Sequence, residues 1–485
     1  MELEDQCDNH SCGSTIMITR LDIDERVREW GLREDVVEKD YVLSWLLWGI
    51  GSDERLGLDW IFKGGTCLKK CYLETYRFSE DLDFTIMPNG PVNDEEVRPI
   101  LMNVLERVHE ASGIQFSDTP PVLKTHPSGR YTEGRIYYRG PRMAPQVSKI
   151  ILDLSASEKV ARPTVLRNIN HPFPDQLPAP GQVRCYSFEE VFAEKIRAMG
   201  ERSRPRDLYD IVNLYRRADL RSAGSLVRDV LHEKCTSKGV PVPTFAAVQE
   251  SPNRQALEGE WSNMLAHQLQ ALPPFANYWA ELGDLFDWLE GGVQEAELPI
   301  APTSREESLE NAWVPPPTVY VWGQGVPVET IRFAAANHLC LELGYQNSTR
   351  LIEPYALRRT QEGRILLVAV KCASRATRTY RMDRIQSIKV STIPFKPVFR
   401  IELGGGNPFQ ILQLTHAGTK APFIGRMPVN RGGFGRTRFG PTYVIRCPSC
   451  GKEFRRGSMN TSLKTHKGKG GWSCHNTVGY FARMG

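Results

Sequence analysis

The stretch FKGGTCLKKCYLETYRFSEDLDF, Phe62 to Phe84, decides how this 485-residue chain is read. LDWIFK, ending at Lys63, reads as a short strand, GGT as a turn, CLKKCYLET as a helix and DLDFTIM as a second strand. Asp81 and Asp83 stand at i and i+2 of that strand. Their carboxylates leave one face while Leu82 and Phe84 turn the other way into a core. Two acids so placed can hold one or two hard cations. Gly64, Gly65 and Thr66 lie between strand and helix. There the backbone N–H groups point outward, the helix dipole is positive, and glycine lets a phosphate approach closely. Taken singly, each feature is an ordinary turn or strand edge. Taken together, they compose a site for a triphosphate and its magnesium. Asp153, in IILDLS, offers a third carboxylate from a neighbouring strand.

Working outward, helical pattern runs from about Asp22 to Ile50, and the apolar VLSWLLWGIG from Val42 reads as a buried helix. Residues from about Asp94 to His109 are helical in period, and GRIYYRG and VSKIILDLS are strands. In SFEEVFAEKIRAMGE, Ser187 is followed three residues on by Glu190, which predicts a capping box. RPRDLYDIVNLYRRA makes a further helix after Pro205, and more helix extends to about Leu289. The first 20 or so residues are expected to be disordered. The Pro-rich 291–319 reads as a linker and RGGFGRTRFG as a second one. Between them, ETIRFAAANHLCLEL predicts one helix, followed by alternating strands of a small curved sheet.

A chain this long predicts about two to four domains. No apolar run reaches the roughly 18 residues of a membrane span. The polar, acidic MELEDQCDNHSCGS is unlike a secretory signal, so a cytoplasmic, reducing setting is expected for the eleven cysteines. From Ile424 onward there are twelve Lys and Arg against one acid, Glu453. The tail is thus +11 in a chain of net +4, and the rest is −7. That contrast marks a boundary and suggests a polyanionic partner, although a solvated basic end is the simpler reading.

FKGGTCLKK…RFSEDLDF, then FAEKIRA, then RPRDLYD, with VEKDYVLSWLL before them, resemble the AbiEii/MenT family of nucleotidyl transferase toxins over roughly residues 20–290. The resemblance implies an α/β (α+β) fold, the DNA polymerase β-like nucleotidyl transferase fold with an added helical half. It implies a toxin acting beside a cognate antitoxin, in some members by adding nucleotides to tRNA 3′ ends. Residue by residue, Gly64, Gly65 and Thr66 match the phosphate turn, and Asp81 and Asp83 the metal pair. Lys195 matches the lysine on the triphosphate, and Asp207 and Asp210 the acids of the last motif. Read without the family, Lys195 is a solvated lysine and Asp207 a helix cap.

LGYQNSTRLIEPYALRRTQEGRILLVAVKCASRATRTYRMDRI, within residues 320–405, resembles a WYL domain, an Sm-like small β-barrel; the namesake Trp-Tyr-Leu is ILL here. Arg378, Arg381 and Arg384 around Tyr380 suit a phosphate and base platform, or simply a solvated β-face. The basic tail, 424–485, carries CPSC. Cys447, Cys450, His466 and Cys474 are the expected ligands of a structural Zn²⁺ in a zinc ribbon, with His475 able to replace either of the last two. Arg455 and Arg456 add nucleic-acid contacts.

The expected activity is therefore transfer of a nucleoside monophosphate from an NTP to a hydroxyl, with two Mg²⁺ ions and release of pyrophosphate. The expected acceptor is RNA, with tRNA first. Two alternatives stay open: nucleotidylation of a protein hydroxyl, and a WYL and zinc-ribbon nucleic-acid-binding regulator whose transferase domain is inactive.

Overall fold

The computed structural model describes residues 18–73, 77–116, 119–217, 224–292, 298–303, 308–310 and 328–403. In the tail it describes 443–447, 450, 452–456, 463, 466–467, 473–474 and 480–484. The first 17 residues and RGGFGRTRFG lie outside these. Two compact units result, 1–413 and 414–485.

The first unit is built on a seven-stranded mixed sheet. Its strands are β1 (Trp60–Lys63), β2 (Asp81–Ile86), β3 (Val122–Thr125), β4 (Tyr131–Tyr138), β5 (Ser148–Ser155), β6 (Val165–Asn168) and β7 (Gln182–Cys185). Their order is β3-β4-β5-β2-β1-β7-β6. β1 and β2 are antiparallel, so the Gly-Gly-Thr segment returns the chain against the strand that carries the acids. β2 and β5 are parallel. Leu82 and Phe84 are fully buried, as their alternation with the acids requires.

The helical stretch read as running from 22 to 50 is two helices, Arg20–Trp30 and Glu34–Gly51. Gly31 caps the first in the left-handed conformation, at φ 61°, where any other side chain is strained. The second is buried almost all round, as its apolar sequence implies.

The helices Phe188–Arg202, Pro205–Arg216, Gly224–Lys238 and Phe275–Leu289 form the helical half. Ser187 caps the first of these, its Oγ accepting from the Glu190 N–H. The capping box is only half made. The Glu190 carboxylate accepts instead from the Ala161 and Arg162 N–H groups and pairs with Lys234 at 2.6 Å. Fully buried, it needs the stronger set of donors.

In the second part of this unit the helix is Val328–Ala336, shorter than expected. His338 at φ 53° breaks it, and the alternating LCLEL becomes strand β8 (Leu339–Tyr345). β9 (Ser348–Arg359), β10 (Ile365–Lys371), β11 (Ala376–Arg381) and β12 (Ile385–Pro394) complete an antiparallel sheet of order β11-β10-β9-β8-β12. The expected barrel is not closed: no ladder joins β11 to β12 among the described residues. One 3-10 turn, Met382–Arg384, connects these two edges, so there they stand at most about 14 Å apart and the sheet must curl strongly. Met382 is buried at that turn.

Part of the Pro-rich stretch packs on this sheet. Leu309 bridges Thr360, Glu310 pairs with Arg359 at 2.6 Å, and Ala301 is buried. The helical half and the second sheet share one hydrophobic core. Tyr209 Oη donates to Asn337 Oδ1 at 2.8 Å and Arg216 to the Ala336 carbonyl at 3.2 Å, which ties the two parts together.

In the tail, β13 (Tyr443–Arg446), β14 (Glu453–Arg456) and β17 (Tyr480–Met484) form a three-stranded sheet, while β15 (His466–Lys467) pairs with β16 (Ser473–Cys474). Its apolar core is small, centred on Ile445, Cys447 and Leu463.

Candidate active site

The site is a row of charges across the first sheet. Lys63 on β1 faces Asp83 on β2, Asp83 faces Asp153 on β5, and Asp153 faces Glu133 on β4. Residues opposite one another share a face of the sheet, and adjacent strands run about 4.8 Å apart. Asp81, two residues before Asp83, belongs to the same face. The three expected metal acids, Asp81, Asp83 and Asp153, are thus brought together. Tyr131 Oη donates to Asp153 Oδ1 at 2.9 Å.

Burial and neighbouring carboxylates make the ionised form of each of these acids less stable. Burial, with Asp153 and Asp81 nearby, pushes Asp83 up to about 6 against the opposing charge of Lys63. Asp81 is raised by burial, Glu80 and Asp153. Asp153 is raised by burial and Glu133. Closely spaced oxygen donors whose negative charge is uncompensated form the donor set of a hard divalent cation, and the residues fit Mg²⁺.

The turn lies against this face. Gly64 has φ 80°, and a Cβ there would lie 2.2 Å from Asp83 Oδ2, so glycine is required twice over. At Gly65 a Cβ would lie 2.6 Å from an Arg77 guanidinium nitrogen and 3.0 Å from Ser79 Oγ. Thr66 is buried and its hydroxyl donates to the Asp81 carbonyl at 2.5 Å. Its side chain therefore fastens the turn to β2, leaving backbone groups to meet a phosphate. The helix is one turn, Gly64–Cys67, continued by a π-turn, Leu68–Tyr72.

The second acidic group is arranged in the opposite sense. Asp210 is fully buried, and Arg77 donates to it twice, at 2.7 and 2.9 Å. Lys195 pairs with it at 2.7 Å. Although burial would raise it, Arg77 and Lys195 hold the Asp210 carboxyl well below the usual carboxylate range. Asp207, also fully buried, is in the first turn of the Pro205–Arg216 helix and receives two hydrogen bonds from Arg202, with Lys195 at 3.8 Å. Asp210 and Asp207 therefore face cations of the protein. Lys195 also opposes the rise of Asp83, which puts its charge near the metal face.

Three contributors were missed in the sequence, and a fourth, Arg206, reads there only as a partner for a nearby acid. Arg77 lies inside the opening stretch yet meets Asp210 only through the fold. Tyr131 reaches Asp153 from a neighbouring strand. Glu158 holds Lys63 in an ion pair, and Lys63 and Lys238 keep it at about 2 despite its burial. Arg206 is half-buried, with its Nε unbonded among the described residues. Burial and the nearby Arg77 lower its pKa, while Asp81, Glu80 and Asp210 oppose that fall. Lys39 is paired with Glu80, Lys63 with Glu158, and Arg77 and Lys195 with Asp210. Of the cations around the acids, Arg206 is the one for which the described residues provide no ion pair.

The outlying candidates are dispersed. Tyr380 is buried edge-on against Tyr345, with ring centroids 5.2 Å apart, so it is no base platform. Its apolar ring fills the curl of the sheet instead. Arg378 and Arg384 are exposed, and Arg381 pairs with Asp383 at 2.5 Å. In the tail, ligand atoms of Cys447, Cys450 and His466 all lie within 4.8 Å of one another, and Cys450 Sγ is 3.2 Å from His466 Nε2. Cys474 is the register partner of His466 on the facing strand. His475 lies outside the described residues. Arg455 is exposed on β14 and Arg456 follows it.

Residues 45–289 match the family model for the nucleotidyl transferase AbiEii toxin of a type IV toxin–antitoxin system. Residues 328–390 match the WYL domain. Among solved structures the chain is similar to MenT4, a nucleotidyltransferase toxin from Mycobacterium tuberculosis H37Rv. The identity is 20% over 56% of this chain and 90% of that one, with a TM-score of 0.38. No curated protein matches the chain.

Proposed function

The chain belongs to the AbiEii nucleotidyl transferase toxin family, and from that premise we propose that it transfers a nucleoside monophosphate from an NTP to a hydroxyl of RNA, tRNA first, releasing pyrophosphate. The observation that carries this reading is the meeting of Asp81, Asp83 and Asp153 on one sheet face against the Gly64–Thr66 turn. These three acids would hold two Mg²⁺ ions. When bound, Mg²⁺ lowers the pKa of the attacking hydroxyl and neutralises the charge of the leaving pyrophosphate. The turn amides bind phosphate oxygens. Arg206 supplies an unspent guanidinium for the triphosphate, and guanidinium matches phosphate geometry. Asp210 holds Lys195 and Arg77 in place behind that charge, and Arg77 in turn backs Gly65.

The basic tail and the exposed Arg378 and Arg384 recruit the polyanionic acceptor, so transfer should weaken with salt as phosphate contacts release counterions. The tail is held by one structural Zn²⁺ on Cys447, Cys450, His466 and Cys474. Type IV toxin–antitoxin membership implies a cognate antitoxin. No helix among the described residues is long and apolar enough to cross a membrane. The reducing cytoplasm is the setting in which the described free thiols would persist.

The test is incubation of purified protein with each NTP labelled at its α-phosphate, with total RNA and a protein extract together. Label on RNA supports the proposal. Label on protein replaces RNA by a protein hydroxyl as acceptor. No label on either, with tight DNA binding, supports a regulator instead.

A further inference from the structure

We propose that Cys67, Cys71 and Cys185 form a second, thiophilic metal site buried directly behind the phosphate turn. The three residues are fully buried, and their Sγ atoms all lie within 4.8 Å of one another. They come from two elements. Cys67 and Cys71 are spaced i, i+4 on one face of the helical turn that follows Thr66, and Cys185 ends β7, where it is the register partner of Phe62 on β1. Thiolates bound at about 2.3 Å to one ion in a trigonal site stand about 4.0 Å apart. The sulfurs thus need to close by less than an ångström.

A fourth donor, an oxygen, is at hand. Tyr72 Oη lies 3.8 Å from Cys185 Sγ, while its hydrogen is donated to the Tyr186 carbonyl at 2.5 Å, which leaves its lone pair free. The buried Arg167 completes the surroundings. Its guanidinium sits over the Tyr72 ring at 4.4 Å and its Nε donates to the Cys71 carbonyl at 3.2 Å. Three thiols and a divalent ion give a tris-thiolate complex of charge −1 and release three protons. No electron is transferred, and the Arg167 charge offsets the complex. The donors select soft thiophilic ions such as Zn²⁺, Cd²⁺ or Cu⁺, unlike the oxygen set of Asp81, Asp83 and Asp153. Because Cys67 follows Thr66 directly and Cys185 pairs with the strand leading into the turn, occupancy would clamp the turn to the sheet.

The tail thiols are removed first, with Cys447→Ser/Cys450→Ser in the full chain. This protein is incubated with Cd²⁺ under reducing conditions and freed of excess metal. Bound cadmium is then measured by elemental analysis and by thiolate-to-cadmium charge-transfer absorbance. About one Cd²⁺ per chain with the charge-transfer band is expected, together with protection of three thiols from alkylation and a raised Tm. Adding Cys185→Ala should remove the metal, the band and the Tm shift, and Cys71→Ala should do the same. Circular dichroism confirms that each variant is folded, and either folded variant alone decides the matter. Failure of the tail-thiol variant to retain cadmium, or equal retention after Cys185→Ala or Cys71→Ala, overturns the site. Neither outcome depends on whether the transferase reading holds.

Discussion

Two groups of aspartates a short distance apart in this fold are treated in opposite ways. Asp81, Asp83 and Asp153 crowd one sheet face, and burial together with neighbouring carboxylates raises all three, Glu133 being the neighbour that acts on Asp153. Asp210 is buried at least as deeply, yet Arg77 and Lys195 hold it low, and Asp207 has Arg202. The residue type is the same, and only the neighbours differ. On the function proposed above, the first group would bind a cation that arrives with substrate, while the second fixes cations the protein already owns. An acid's role in this family member therefore follows from its partners more than from its place in a motif.

The largest effect that would break this contrast is on catalysis. Asp81→Ala or Asp83→Ala should lower transfer by on the order of 10²–10³ or more while the protein stays folded, because the lost ligand acts on the transition state. A radiolabel assay beside circular dichroism checks it, and wild-type transfer in either variant would remove the metal assignment.

Asp210→Asn should act on stability first. It leaves Arg77 and Lys195 without their carboxylate in a buried place, at a cost of about 3–5 kcal/mol. Denaturant unfolding measures this. A variant as stable as wild type would put Asp210 in the same class as Asp83.

Tyr131→Phe should have a smaller effect. Asp153 loses its hydroxyl donor, and supporting partners of metal ligands are worth about 10–100-fold in affinity, toward the lower end here because Tyr131 is exposed. Isothermal calorimetry with Mg²⁺ and a non-hydrolysable NTP should show weaker binding, with the fold unchanged.

Legibility in the sequence follows the distance over which each feature is assembled. Gly64, Asp81 and Asp83 lie within one strand–turn–helix–strand unit, and their alternation with Leu82 and Phe84 is local, so their face could be read directly. Asp153 was accessible because it stands between Leu152 and Leu154 in a run rich in β-formers. The row Lys63–Asp83–Asp153–Glu133 depends on register across four strands, which no local pattern encodes. Arg77, Tyr131 and Glu158 were invisible for that reason. The resemblance pointed to Lys195 and Asp210, and only the fold shows that they bind each other. In the second sheet the strands were legible, but the open β11–β12 edge was not, since whether those strands pair depends on register across the whole sheet. His338 ended a helix that residue preference alone would extend. Cys447 and Cys450 could be read as a pair because Cys-x-x-Cys is local, whereas Cys185 meets Cys67 and Cys71 only across β1 and β7.

The most direct test of the central claim compares wild type with Asp83→Asn by thermal unfolding, with Mg²⁺ and with EDTA, across pH 5 to 8. Asp83 is raised from 3.8 to about 6 in the fold. Its contribution to stability is therefore full below pH about 4 and lost as pH rises through about 6. Metal-free wild type should lose stability over that window, on the order of 1 kcal/mol after allowance for partial exposure. Mg²⁺ should restore it increasingly above pH 6, where the carboxylate is ionised. Asp83→Asn should lack this loss, unfold at a higher temperature than metal-free wild type at pH 8, and gain little from Mg²⁺. Equal Mg²⁺ stabilisation of both proteins at pH 8 would contradict the assignment of this face as the metal site.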